Sequence, residues 1–208
     1  KESLVSAPRG KIYDRNGVPL ATNRQGFKVL IVKTGIDNDE LNEMLLKLVE
    51  VFERNGQSYK DSLDRYLTFD PIGFNGRDLK DILNWQKNPN RLNMNEKDIK
   101  ETPEELFKYL RDEKFAIDKS YTDEQAYDIM KLRYEILLNN WNFITGGTVE
   151  LATDVGIQVI SEIEERHKEF PGLITDVEAV REYQDTTDYA HILGYVRPIT
   201  SEQLNVLQ

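Results

Sequence analysis

Cysteine is absent from the chain, which excludes disulfide cross-links and thiol chemistry. Only two histidines occur, His167 and His191, and with no cysteine beside them they cannot complete a usual zinc set. His167 falls four residues after Ile163, at the edge of an apolar stripe, and His191 lies in an apolar run; both read as packed or hydrogen-bonded structural groups, and neither a metal nor a cofactor is implied. No run of about 20 apolar residues exists, so no segment of this sequence is long enough to cross a bilayer as a helix. Positive charge is in deficit. Twenty-seven basic residues against 37 acidic leave a net charge of −10, which argues against a nucleic-acid ligand, whose phosphates need a basic surface. It equally disfavours anionic lipid. A phosphate-cradling loop is lacking too: Gly146-Gly147 is a bare pair without a following Lys-Ser or Lys-Thr.

What is present is a 208-residue chain with 39% apolar residues, enough for one large domain or two small ones. The string Arg9-Gly10-Lys11-Ile12-Tyr13-Asp14-Arg15-Asn16-Gly17-Val18-Pro19-Leu20-Ala21 reads as strand, tight turn and strand. Lys11 to Asp14 alternates polar and apolar. Asn16-Gly17 supplies residues that tolerate positive φ. Pro19 lacks an N–H, so the returning strand is expected at an edge or to leave the sheet early. Phe27 to Lys33 is rich in β-branched residues and predicts a buried strand.

Helix starts are unusually legible. Asp37 with Glu40, and Thr122 with Gln125, are spaced as capping boxes. Thr102-Pro103-Glu104-Glu105 combines a cap, a proline in the first turn and early acidic residues. The apolar spacing predicts helices over 38–55 and 123–139, the second with Ala126, Ile129, Met130, Ile136 and Leu137 on one stripe. A short helix is expected over 77–85, and the stretch 57–101 otherwise reads as an excursion with too few apolar residues for its own core. Thr148 to Ala152 reads as a short strand, followed by a helix from Thr153, and Ile174 to Tyr183 alternates as a strand with Val177, Ala179 and Tyr183 on one face. The expected fold is α+β: a small antiparallel or mixed sheet assembled from sequence-distant strands, with an inserted helical lobe. The sheet region is placed at 1–36 and 170–208, and the lobe at 37–169.

The Arg9–Ala21 string resembles the opening motif of the class B penicillin-binding proteins, membrane-anchored enzymes that cross-link bacterial peptidoglycan. Phe170-Pro171-Gly172-Leu173 followed by Arg181-Glu182-Tyr183, and His191-Ile192-Leu193-Gly194-Tyr195-Val196, resemble further family segments in the expected order. Leu132-Arg133-Tyr134-Glu135 is similar to elongation-type members from low-GC bacteria. The resemblance implies a non-catalytic pedestal that positions its own transpeptidase domain at the extracytoplasmic membrane face. Its implied partners are the glycan polymerase and cell-shape scaffold proteins. It also implies that a membrane anchor precedes Lys1 and that the transpeptidase domain follows Gln208. By the same resemblance, Arg9, Gly10, Asp14, Arg15, Asn16 and Gly17 are structural, fixing the hairpin against Arg181 and Tyr183, with Gly194 in the later segment.

The enzymes of that family carry a nucleophilic serine in Ser-x-x-Lys. Ser3, Ser6, Ser58, Ser62, Ser120, Ser161 and Ser201 all lack a lysine three residues on, and no Ser-x-Asn occurs. Lys33-Thr34-Gly35 matches a catalytic-site tripeptide, but without a nucleophile it reads as a strand end and a turn glycine. The many carboxylates do not define a catalytic pair, because that requires a spatial separation. Arg133 falls on the apolar stripe of its helix, where a guanidinium needs an acidic partner or a helix end to bond. The competing reading of the whole chain is an independent soluble enzyme or binding protein whose motifs match by accident. It would carry its own pocket with perturbed titratable groups.

Overall fold

The computed structural model describes residues 9–183. Along the chain run β1 (Ile12–Tyr13), β2 (Pro19–Val32), α1 (Asn38–Arg54), β3 (Thr68–Phe69), β4 (Ile72–Gly73), α2 (Leu79–Lys87) and α3 (Pro103–Tyr109). A π-helical turn (Leu110–Lys114) continues α3. Then follow α4 (Asp123–Leu138), α5 (Asn140–Ile144), β5 (Thr148–Val155), α6 (Ile157–Glu165) and β6 (Leu173–Tyr183). The fold class is α+β, as expected.

Local chemistry explains where elements start. Glu40 donates its N–H to Asp37 Oδ1 (2.9 Å) while Glu40 Oε2 accepts the N–H of Asp37 (3.2 Å), a closed capping box at α1. Thr122 and Gln125 repeat it at α4 (3.2 and 3.0 Å). Thr102 Oγ1 accepts the Glu105 N–H at α3 (3.4 Å). The short helix expected over 77–85 lies two residues later, with Asp78 at the N-cap position and no side-chain cap bond.

The strands depart further from expectation. Pro19 does not mark an edge or an early exit: β2 runs for 14 residues and pairs with β1, β5 and β6. Proline stands at the first residue of the strand, where a missing donor is tolerated. The β2–β5 pairing is antiparallel from Phe27 opposite Val155 to Val32 opposite Thr148, with irregularities around Val29. In β6 the face carrying Val177, Ala179 and Tyr183 is the exposed one. Alternation distinguishes two faces of a strand but does not say which one is covered.

The chain divides into a terminal unit (Lys1–Gln25 with Ala179–Gln208) and a central unit (Gly26–Glu178). The central unit holds two apolar clusters. One joins Val29 and Ile31 of β2, the Leu45–Phe52 face of α1, Val149 and Leu151 of β5, and Val159 and Ile163 of α6. The other gathers Leu63, Leu67, Ile82, Trp85, Leu92 and Met94 with residues of α3 and α4. The 57–101 stretch therefore buries its apolar residues in a shared core.

Helix α4 serves both clusters. Ala126, Ile129, Met130 and Tyr134 face the second, whereas Leu132 and Ile136 face the first. The single stripe expected from the sequence is corrected to two, since a helix between two apolar layers is covered on opposite sides.

Candidate functional site

Two constellations bring together the residues singled out by sequence. The first lies in the terminal unit. Asp14 Oδ1 accepts the N–H groups of Asn16 (2.8 Å) and Val18 (2.7 Å), an Asx turn that reverses the chain. Gly17 takes φ +81°, which costs glycine no Cβ clash. Arg181 Nη1 donates to the Gly10 carbonyl (2.7 Å) and to Asn23 Oδ1 (3.2 Å), and its guanidinium lies 5.8 Å from the centre of the Tyr183 ring. Asn23 Nδ2 in turn donates to the Arg9 carbonyl (2.5 Å). Arg9 and Gly10 thus contribute backbone oxygens. The side chains of Arg9 and Arg15 are exposed and make no hydrogen bond or ion pair among the described residues. Asn23 was not singled out by sequence; an asparagine inside a strand, where it is disfavoured, was the available signal. Gly194 and His191 lie outside the described residues. His167 is exposed, with Nδ1 3.3 Å from the Glu164 carbonyl oxygen.

The second constellation is Leu132 to Glu135 on α4. Leu132 is fully buried in the first cluster. Arg133 Nη2 donates to Asn38 Oδ1 (2.6 Å), and its guanidinium lies 5.6 Å from the centre of the Phe115 ring. Asn38 Nδ2 passes the contact on to the carbonyls of Phe115 (3.0 Å) and Ala116 (3.1 Å). Asn38 is the first residue of α1, so of the two partners expected for Arg133 the structure shows the helix end. Burial pushes the Arg133 pKa down to about 10. Tyr134 is fully buried and its hydroxyl accepts the Trp85 Nε1–H (2.7 Å). Glu135, also buried, accepts the Ser62 N–H (2.6 Å). Four consecutive residues therefore hold the first core, the start of α1, helix α2 and the loop at Ser62.

The Phe170-Pro171-Gly172 segment fastens the start of β6. Phe170 is buried, and the Gly172 carbonyl accepts the Val32 N–H (2.9 Å). At φ +86° a Cβ on Gly172 would lie 2.8 Å from the Val32 oxygen and 2.6 Å from Thr34 Cγ2, so only glycine fits this approach. Lys33-Thr34-Gly35 follows directly after β2, at a strand end.

Lys131 and Tyr59 form a titratable pair in the central unit. Lys131 Nζ is 2.8 Å from Asp128 and 3.3 Å from the Tyr59 hydroxyl. Burial acts to lower the Lys131 pKa, but the bonds to Asp128 and Tyr59 outweigh it and hold the pKa above its usual value. Burial pushes Tyr59 up to about 12. A lysine held charged and a phenol held neutral are both poor bases and nucleophiles at neutral pH. Among the described residues no cluster of three His, Asp or Glu is placed to hold a metal, and no helix is long and apolar enough to cross a membrane.

The model of the penicillin-binding protein dimerisation domain matches residues 4–208. The chain belongs to this family. Two solved structures of penicillin-binding protein 2B from Streptococcus pneumoniae are similar to it. The strain 5204 protein is 22% identical with a TM-score of 0.45, covering 98% of this chain and 30% of that one. The strain R6 protein is 18% identical with a TM-score of 0.37, covering 91% and 27%. The chain thus spans less than a third of either. Comparison with curated protein sequences gave no match.

Proposed function

We propose that this chain is the non-catalytic pedestal of an elongation-type, class B penicillin-binding protein. It holds a transpeptidase domain at a distance from the membrane and offers surfaces to the glycan polymerase and to cell-shape scaffold proteins. Its place is the extracytoplasmic face of the bacterial membrane, reached through an anchor segment. The sheet region is assigned to 1–36 and 170–208, and the helical lobe to 37–169. One observation carries the reading: the family match extends over 4–208, yet none of the seven serines heads a Ser-x-x-Lys. The residues of the family-like segments support it. Asp14, Arg181 and Gly172 engage backbone groups, Leu132, Tyr134 and Glu135 are buried, and Arg133 bonds the Asn38 side chain.

Labelling with a fluorescent penicillin tests the reading. This chain is expected to remain unlabelled, while a longer form extending past Gln208 to a Ser-x-x-Lys is expected to acylate. Acylation of this chain would overturn the assignment.

A further inference from the structure

A cleft of about 210 Å³ opens in the central unit between the end of β2, the start of α1, α4 and α5. Its walls are apolar, with Ile36, Leu41 and Phe143 among them, and Arg133 and Lys33 line it as cations. Neither cation meets a carboxylate among the described residues. The acidic group that shares the cleft, Asp37, is already engaged: Oδ1 accepts the Glu40 N–H (2.9 Å) in the α1 cap. A half-buried guanidinium bonded to a neutral amide is unexpected in a chain with ten more acids than bases. It also lies at the start of a helix, the end whose dipole disfavours cations. Depression of the Arg133 pKa records the same burial. The cleft is smaller than the 300 Å³ or so at which small-molecule and cofactor sites begin, and its volume suits one or two side chains. Alongside it, α5 turns Trp141 (78% exposed) and Ile144 (48% exposed) to solvent. Tryptophan is enriched among the residues that anchor protein interfaces.

We propose that this cleft receives the carboxylate of an aspartate or glutamate, seated beside a neighbouring apolar side chain, from a segment of a partner protein. The guanidinium fork pairs with the carboxylate, Lys33 adds a second positive charge, and Ile36, Leu41 and Phe143 take the apolar neighbour. Apolar walls are out of place for a bare phosphate. A second copy of this chain is disfavoured because each carries −10. The proposal needs only the cleft and does not depend on the pedestal reading.

NMR titration of the isotopically labelled chain tests it. The probes are acetylated, amidated tripeptides with a central Glu flanked by Leu, Ile or Phe, a matched panel with a central Gln, and inorganic phosphate. Glu peptides are expected to move the Arg133 Nε–H, Ile36, Leu41 and Phe143 signals; the Gln panel and phosphate are not. Lys33 is exposed, so Lys33→Glu should leave the fold intact and weaken Glu-peptide binding about fivefold or more. Arg133→Gln should weaken it more. Absence of shifts with every Glu peptide at about 10 mM would overturn the proposal. So would equal shifts from the Gln panel or phosphate, shifts centred elsewhere, or an unchanged affinity in Lys33→Glu. Self-association of the chain that Lys33→Glu abolishes would assign the cleft to a second copy and overturn the partner assignment.

Discussion

In the central unit, Leu132, Tyr134, Leu45 and Trp85 bury large side chains in two clusters that share α4. In the terminal unit, Ala21 is the buried apolar residue among those described, while Ile12, Tyr13, Val18 and Tyr183 are 39–55% exposed. What orders this second region is polar: an aspartate turn, an asparagine to a carbonyl, and an arginine to another carbonyl. The difference teaches that motif residues and stability residues need not coincide. The string that resembles the family's opening motif sits where its side-chain hydrogen bonds are exposed and worth about 1 kcal/mol net. The central unit relies on burial, worth about 1.5–3 kcal/mol for each large apolar side chain.

Substitutions can break this contrast. Leu132→Ala removes a fully buried side chain between α1, α4 and β5 and should cost about 2–5 kcal/mol in urea denaturation. A loss under about 1 kcal/mol would mean that the first cluster is not a packed core. Gly172→Ala forces a positive-φ residue against the Val32 carbonyl and should cost about 2–3 kcal/mol. Tyr134→Phe leaves the Trp85 N–H without an acceptor in a buried site and should cost about 1–3 kcal/mol by the same measurement.

High pH is a further lever. Tyr59 is held neutral in the folded chain up to about 12, whereas in the unfolded chain it ionises near 10. Its contribution is therefore full below pH 10 and is lost as pH rises toward 12. The urea midpoint should stay level from neutral pH to about 9 and then fall, and Tyr59→Phe should shallow that fall. The smallest effects belong to the terminal unit. Arg181→Gln or Asp14→Ala should change the midpoint by about 1 kcal/mol or less, while raising amide exchange locally around Gly10 to Asn23.

Arg133 sharpens the comparison from inside the central unit. A carboxylate partner would have made its removal expensive, by about 3–5 kcal/mol. With a neutral amide at Asn38 as its partner, the expected loss in Arg133→Gln is about 1 kcal/mol.

The legible part of this fold was the part decided within a few residues. Asp37 with Glu40, Thr102 with Glu105, and Thr122 with Gln125 announce their helices because a cap and its N–H lie three residues apart. The Asn16-Gly17 reversal is local in the same sense. What the sequence could not show depends on distant partners. The Tyr134 hydroxyl meets Trp85 across 49 positions and Arg133 meets Asn38 across 95. The second apolar face of α4 and the exposed face of β6 depend on what packs against them, which no periodicity encodes. In the terminal constellation Asp14, Gly17 and Arg181 were legible through family resemblance. Asn23 was not, because its role is to bond a carbonyl 14 residues away.

Native-state hydrogen exchange read residue by residue over 9–183 is the most direct test of the contrast between the two units. Amides of Leu45–Phe52 and Ile129–Ile136 should exchange only through global opening, with free energies equal to that from denaturation, while those of Ile12–Val18 should exchange through smaller local openings and respond to Arg181→Gln. Equal protection in both stretches, or a loss of protection in α1 and α4 on Arg181→Gln, would contradict it.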